Sequence, residues 1–201
     1  MRYFFISILW GFSILVNGQD NYHNEIQAER DSINRVFSDP EKSILLPRDL
    51  KTFQGLPFYD IEEKYRVKCN FTKIDDAEPF RMQTSTTRLP VYKPYGVLTF
   101  VLDGKTHQLT VYQNLELIKK EEYKNYLFIP FTDLTSGNES YGGGRYLDTT
   151  TEEVESGDFY LDFNRCYNQY CAYNPNYSCP IPPQENHLDV EIRAGVKNWH
   201  H

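Results

Sequence analysis

The segment Tyr141-Gly142-Gly143-Gly144-Arg145-Tyr146 holds the residues best suited to chemistry in this chain. Successive glycines let backbone N–H groups converge on an anion, and an arginine grips carboxylate or phosphate through parallel hydrogen bonds. With Asp133 upstream and Asp162 and Asn164 downstream, the segment reads as a clamp for a small polar or anionic ligand. That clamp would be built from Asp133, Tyr141, Gly143, Gly144, Arg145, Tyr146, Asp162 and Asn164. The competing reading is structural: the glycines shape a bulge or tight turn, and Arg145 pairs with an internal acid such as Asp133 or Asp162. No Gly-Lys-Ser/Thr ending and no long-spaced glycine fingerprint is present, which excludes the common nucleotide loops.

Other residues support alternatives. Asp162, with Asp133 or Asp148, is placed for acid–base chemistry, and two carboxylates at a suitable separation are what glycoside hydrolysis requires. A hydrolase using Asp133 and Asp162 therefore stands as the alternative to a non-catalytic binding module. A third reading is an envelope protein that engages a protein partner. Tyr160, Tyr167, Tyr170, Tyr173 and Tyr177 offer rings for stacking on a sugar or another planar ligand, or for packing on half-buried strand faces. The chain has no Gly-x-Ser-x-Gly elbow, no His-Glu-x-x-His helix and no Cys-x-x-Cys pair, and no cofactor is expected.

The elements that must position these residues are written in the hydrophobic pattern. Asp20 to Ser38 is predicted helical, with Tyr22, Ile26, Ile33, Val36 and Phe37 near one face and Asp39-Pro40 as the stop. From Tyr65 the period becomes two: Tyr65, Val67, Cys69 and Phe71 alternate with polar residues, which puts Cys69 inside as a free thiol. Val97–Leu102 and Thr106–Tyr112 flank Asp103-Gly104, a hairpin signal whose register Lys105 leaves open by one residue. Leu127–Phe131 reads as a buried strand ended early by Pro130, or as an edge. Phe159, Leu161 and Phe163 form one alternating run, and Leu188, Val190, Ile192 and Ala194 form another. In both runs the intervening polar residues, Asp162 and Asn164 included, face outward or line a pocket. The expected fold is mainly β, an antiparallel sandwich or partly closed barrel with an N-terminal α-helix. Residues 19–55 would be the helix and connector, and 56–201 a single β-rich domain.

Arg2 followed by the apolar run Tyr3 to Val16 reads as a signal peptide over residues 1–18, too short for a comfortable membrane span. The expectation is a periplasmic or secreted protein with no transmembrane segment in the mature chain. The formal charge of −7 argues against nonspecific nucleic-acid binding. In an exported chain, Cys171 and Cys179 flanking Asn174-Pro175 are expected to close a disulfide loop, with Cys166 as the alternative partner. Such a bridge would contribute roughly 2–3 kcal/mol. A metal site from Cys171, Cys179 and His187 lacks the close spacing of structural zinc sites, and none is expected.

Several motifs together resemble one family. They are Phe131-Thr132-Asp133-Leu134-Thr135-Ser136-Gly137, Tyr141 to Leu147, Leu161-Asp162-Phe163-Asn164, Cys171-Ala172-Tyr173-Asn174 and Cys179-Pro180-Ile181-Pro182-Pro183. With Phe53 to Leu56, Glu185-Asn186 and Ala194-Gly195, they are similar to the exported bacterial proteins grouped as domain of unknown function 1684. The resemblance implies export and a shared fold, and it implies no activity. Val196 stands where the family typically carries an acid before the lysine, and Cys166 where it carries a small residue.

Overall fold

The computed structural model describes residues 13–199, with side chains described from Asp20 onward. Residues 1–12, most of the expected leader, lie outside the described residues, as do His200 and His201. No described helix is long and apolar enough to cross a membrane.

Helix α1 covers Ser13–Ser38. Ile26, Arg30, Ile33 and Phe37 recur at helical spacing and turn inward, whereas Val36, expected on that face, is exposed. A small core of Phe37, Leu45, Leu56, Tyr173 and Val196 docks the helix and its connector onto the β domain. The connector includes the short helix α2 (Pro47–Leu50).

The remainder is a curled half-barrel of antiparallel strands. In chain order these are β1 (Arg66–Lys73), β2 (Phe80–Arg81), β3 (Val91–Leu102), β4 (Lys105–Asn114), β5 (Tyr126–Asp133), β6 (Arg145–Thr150), β7 (Tyr160–Asp162), β8 (Tyr167–Asn168) and β9 (His187–Leu188). The sheet order is β7-β1-β3-β4-β5-β6-β8, with β2 beside β3 and β9 running parallel to β5. A short helix α3 (Thr151–Glu155) follows β6, closed by a capping box between Thr150 and Glu153. Leu102 pairs with Lys105, so Asp103-Gly104 is a two-residue turn; both residues have the positive φ that a primed turn demands.

Alternation along the strands makes two aromatic-rich layers. Leu127, Ile129 and Phe131 of β5 and Leu147 of β6 point into the main core, with Val67, Cys69, Leu98, Phe100, Leu109 and Val111. Phe128 and Tyr146 point the other way, into a second cluster with Met82, Tyr92 and Tyr112. The strands at the two ends of the sheet, β7 and β8, are separated in sequence only by Phe163–Cys166. The chain itself therefore straps the open side of the half-barrel.

Three expectations are corrected. Leu127–Phe131 is neither an edge nor cut short at Pro130: β5 lies between β4 and β6 and runs on to Asp133. Its ladder to β4 is confined to Tyr112 opposite Phe128, and an asparagine side chain takes over from there. Asn186 Oδ1 accepts from the Thr110 N–H at 2.8 Å, and its Nδ2 donates to the carbonyls of Thr110 and Pro130 at 2.9 and 2.7 Å. Proline, having no N–H, loses nothing there. Second, the run from Leu188 to Ala194 is a strand only at His187–Leu188. Leu188, Ile192 and Ala194 are buried as expected, but the carbonyls of Ile192 and Ala194 bond to a side chain rather than to a neighbouring strand. Third, β7 ends at Asp162, and Phe163–Arg165 forms a 3-10 turn that buries Asn164.

Candidate functional site

Arg145 begins β6 on its inward face and is fully buried. Its Nη2 donates to Asp133 Oδ2 at 2.6 Å and to the Ile192 carbonyl at 2.7 Å, while Nη1 donates to the Ala194 carbonyl at 2.5 Å. Asp133 is held in turn by the N–H and hydroxyl of Thr135, at 2.7 and 2.6 Å. The anion clamp expected at Arg145 is therefore corrected to the structural alternative, a buried pair with Asp133 that ties the 192–196 segment to the barrel. The glycines serve the same end. Gly144 has φ +85°, its N–H donates to the Tyr141 carbonyl, and a Cβ there would fall 2.4 Å from the Phe131 carbonyl oxygen. Gly143 offers its carbonyl to Gln169 Nε2 at 2.6 Å.

Asp162 and Asn164 lie apart from Arg145, at the strap between β7 and β8, and both are buried rather than outward-facing. Asp162 accepts from Tyr22 Oη, the Asn164 N–H and Arg165 Nε. Asn164 bonds both backbone groups of Glu62. Arg165 also reaches Glu25 and Glu29, so this junction fastens α1 to the barrel. Asp133 is buried in the core, and Asp162, although it borders a cleft, has both oxygens already hydrogen-bonded. The arrangement gives the hydrolase alternative no acid pair.

Of the expected set, Tyr146 and Asn164 line a cleft suited to a ligand, and Tyr146 does so with its ring. Period two separates it from Arg145: neighbours in a strand point to opposite faces. The cleft, about 650 Å³, runs between α1, the outer face of β5, β6 and β8, and the Ser178–Pro180 segment. Tyr126, Phe128, Tyr146 and Tyr167 wall it, and the Tyr146 hydroxyl is tied to the Pro180 carbonyl. Asp148, two residues after Tyr146 on the same face, sits among these rings. Tyr126 Oη donates to its Oδ1 at 2.6 Å, and Tyr167 Oη lies 2.9 and 2.8 Å from Oδ1 and Oδ2. Asp148 is an exposed residue, and it lines this cleft and a second one beside it. Burial raises its pKa above the usual carboxylate range, against the lowering effect of the two phenols. Burial, followed by the charge of Asp148, raises the pKa of both Tyr126 and Tyr167, so they stay protonated and donating. The result is an apolar, aromatic slot with a fixed carboxylate acceptor at its wall.

Sequence reasoning reached Asp148 and Tyr167 but missed Tyr126, Tyr92 and Arg30. The alternation Tyr126, Phe128 against Leu127, Ile129 showed a second apolar face on β5 that a one-core reading leaves unexplained. Arg30, on the apolar stripe of α1 between Ile26 and Ile33, broke the helix pattern.

Cys171 and Cys179 are both thiols in the structure, with no bridge between them, as are Cys69 and Cys166. They stand side by side, the Cys171 N–H donating to Cys179 Sγ at 3.1 Å. A hydrogen bond from Cys179 pulls the Cys171 thiol down to about 6, against the opposing effect of burial, and the same contact pushes Cys179 up. Tyr141, also of the expected set, packs here, its hydroxyl raised to about 12 by burial and then by Cys171. His187 bonds Thr132 instead, and among the described residues no three His, Cys, Asp or Glu side chains are grouped to hold a metal.

Comparisons with known proteins agree with the fold and assign no activity. Residues 51–197 match the family described as "Protein of unknown function (DUF1684)". The solution NMR structure of an uncharacterised protein of Haloarcula marismortui matches with a TM-score of 0.67 at 33% identity, over 90% of this chain and 96% of that one. No curated protein matches. The cleft tyrosines and Asp148 fall inside the family segment, and Arg30 precedes it.

Proposed function

The chain belongs to the DUF1684 family, and from that premise, which carries a fold and no activity, we propose that it is a non-catalytic binding module for a small polar ligand that bears a ring. One observation carries the reading: an accessible carboxylate, Asp148, set in a cleft walled by tyrosines. A carboxylate held at a raised pKa costs stability in the folded protein, and perturbed groups of this kind gather at functional sites. The rings supply flat apolar area, and the remaining Asp148 lone pairs accept from a ligand hydroxyl or amine.

Resorcinol, a neutral ring with two hydroxyl donors, tests the site in ¹H–¹⁵N spectra. Saturable shifts at the amides of residues 126, 146–148 and 167, lost in Asp148→Ala, are the expected result. Shifts spread over the whole surface, or none, refute the cleft as the site. The wider proposal is that the protein acts outside the cytoplasm, after removal of residues 1–18, where an oxidising milieu would join Cys171 to Cys179. Alkylation with and without prior reduction, read by mass on protein from its native compartment, distinguishes a bridged pair from two thiols.

A further inference from the structure

Among the described residues two arginines are buried, and they are treated differently. Arg145 has an acid and carbonyl oxygens around it. Arg30 is 6% exposed and makes one hydrogen bond, from Nη1 to the Tyr59 carbonyl at 2.8 Å. Its Nε and Nη2 are buried with no partner, and among the described residues no carboxylate pairs with it. The guanidinium lies 4.7 Å above the Phe58 ring, a contact that satisfies its face and none of its in-plane donors. A buried cation with idle N–H groups is costly unless something anionic meets it.

Arg30 lines the same cleft as Asp148, at the α1 wall. Of the two other arginines that border the cleft, Arg165 is engaged by Asp162, Glu25 and Glu29, and Arg88 lies exposed and bonds Ser178. The carboxylates whose charge acts on Arg30 are Asp162 and Asp60, and neither pairs with it. Asp162 is already saturated by Tyr22, Asn164 and Arg165. The cation that the cleft holds in reserve is therefore Arg30.

We propose that Arg30 forms an anion subsite, its free Nε and Nη2 gripping a carboxylate or phosphate group of the ligand from the α1 side of the cleft. Nε and Nη2 of a guanidinium are the pair that meets an oxyanion through two parallel hydrogen bonds. This rests on the cleft being the binding site and adds the ligand's charge: a ring with donor groups toward Asp148 and an anionic end toward α1. A carboxylate and a guanidinium on the walls of one cleft also orient such a ligand, because the reversed pose sets like charges together.

The experiment is a titration of the full chain, followed at the Arg30 Nε–H resonance, with benzoate, benzamide and inorganic phosphate in parallel. Benzoate or phosphate, but not benzamide, should shift that resonance saturably. Arg30→Gln should weaken benzoate binding about tenfold or more, and Arg30→Lys should recover part of it. If neither anion moves the Arg30 resonance while benzamide shifts the amides of Tyr146 and Asp148, the cleft stands and the anion subsite is overturned. If phosphate moves Arg30 while benzamide shifts nothing, the anion subsite stands without the aromatic slot. Because the wild-type resonance is read directly, the result survives a variant that fails to fold.

Discussion

Replacing Arg145 by alanine separates a strut from a clamp. In the structure the guanidinium neutralises Asp133 and supplies the donors for the Ile192 and Ala194 carbonyls. Its removal leaves a carboxylate in a dry core, because Asp133 is 2% exposed. Breaking one side of a buried pair costs about 3–5 kcal/mol. Each stranded carbonyl adds about 1 kcal/mol unless the void admits water. Taking about 5 kcal/mol as the smaller total, and about 2–4 °C per kcal/mol for a protein of this size, the melting temperature should fall by about 10–20 °C. Circular dichroism melts and urea titrations of the chain from Gln19 onward measure this. A second variant removes the ambiguity of a chain that does not fold: Asp133→Asn added to Arg145→Met should be more stable than Arg145→Met alone, since no buried charge is then left over. A melting temperature for Arg145→Ala within about 2 °C of wild type would refute the reasoning and return Arg145 to the list of ligand groups.

Other perturbations probe the rest of the account. Asn186→Ala strands the Thr110 N–H and two carbonyls between β4 and β5, and should cost about 2–4 kcal/mol in urea unfolding. Asp148 has a raised pKa in the folded state, so its contribution to stability is present at acid pH and is lost as pH climbs from the unfolded value through the folded one. Asp148→Asn should therefore flatten the stability profile over that range and raise the melting temperature at pH 7, while abolishing resorcinol binding. In reduced protein, iodoacetamide at pH 7 should modify Cys171 first, because its thiol is pulled down to about 6, whereas burial holds Cys69 and Cys166 at about 11; mass spectrometry of peptides reads the order.

Local rules carried a good part of the fold in the residues themselves. Period-two runs at Tyr65–Phe71 and Phe159–Leu161, the Asp103-Gly104 turn and the Asp39-Pro40 stop each act within a few positions, where side-chain direction and allowed φ decide the outcome. The composition and motifs pointed in the same way to the family. Strand partners were not legible, because β5 takes part of its pairing from a distant asparagine, and 192–196 gives its carbonyls to Arg145 rather than to a strand. Both depend on contacts across more than 40 residues.

The site divides along the same line. From sequence alone, Arg145, Asp133, Asp162 and Asn164 are four polar residues near glycines, free to meet in one pocket. Tertiary structure distributes them between two buried junctions and draws the pocket's aromatic wall from the other faces of β5 and β6. A strand's alternation tells which residues share a face, and Arg145 and Tyr146 cannot. Which face lies against the core and which against a cleft is decided by how the sheet curls and where α1 docks. Only the folded chain shows that Arg145 meets an acid and that Arg30, among the described residues, pairs with none, because the worth of a buried charge is set by what surrounds it.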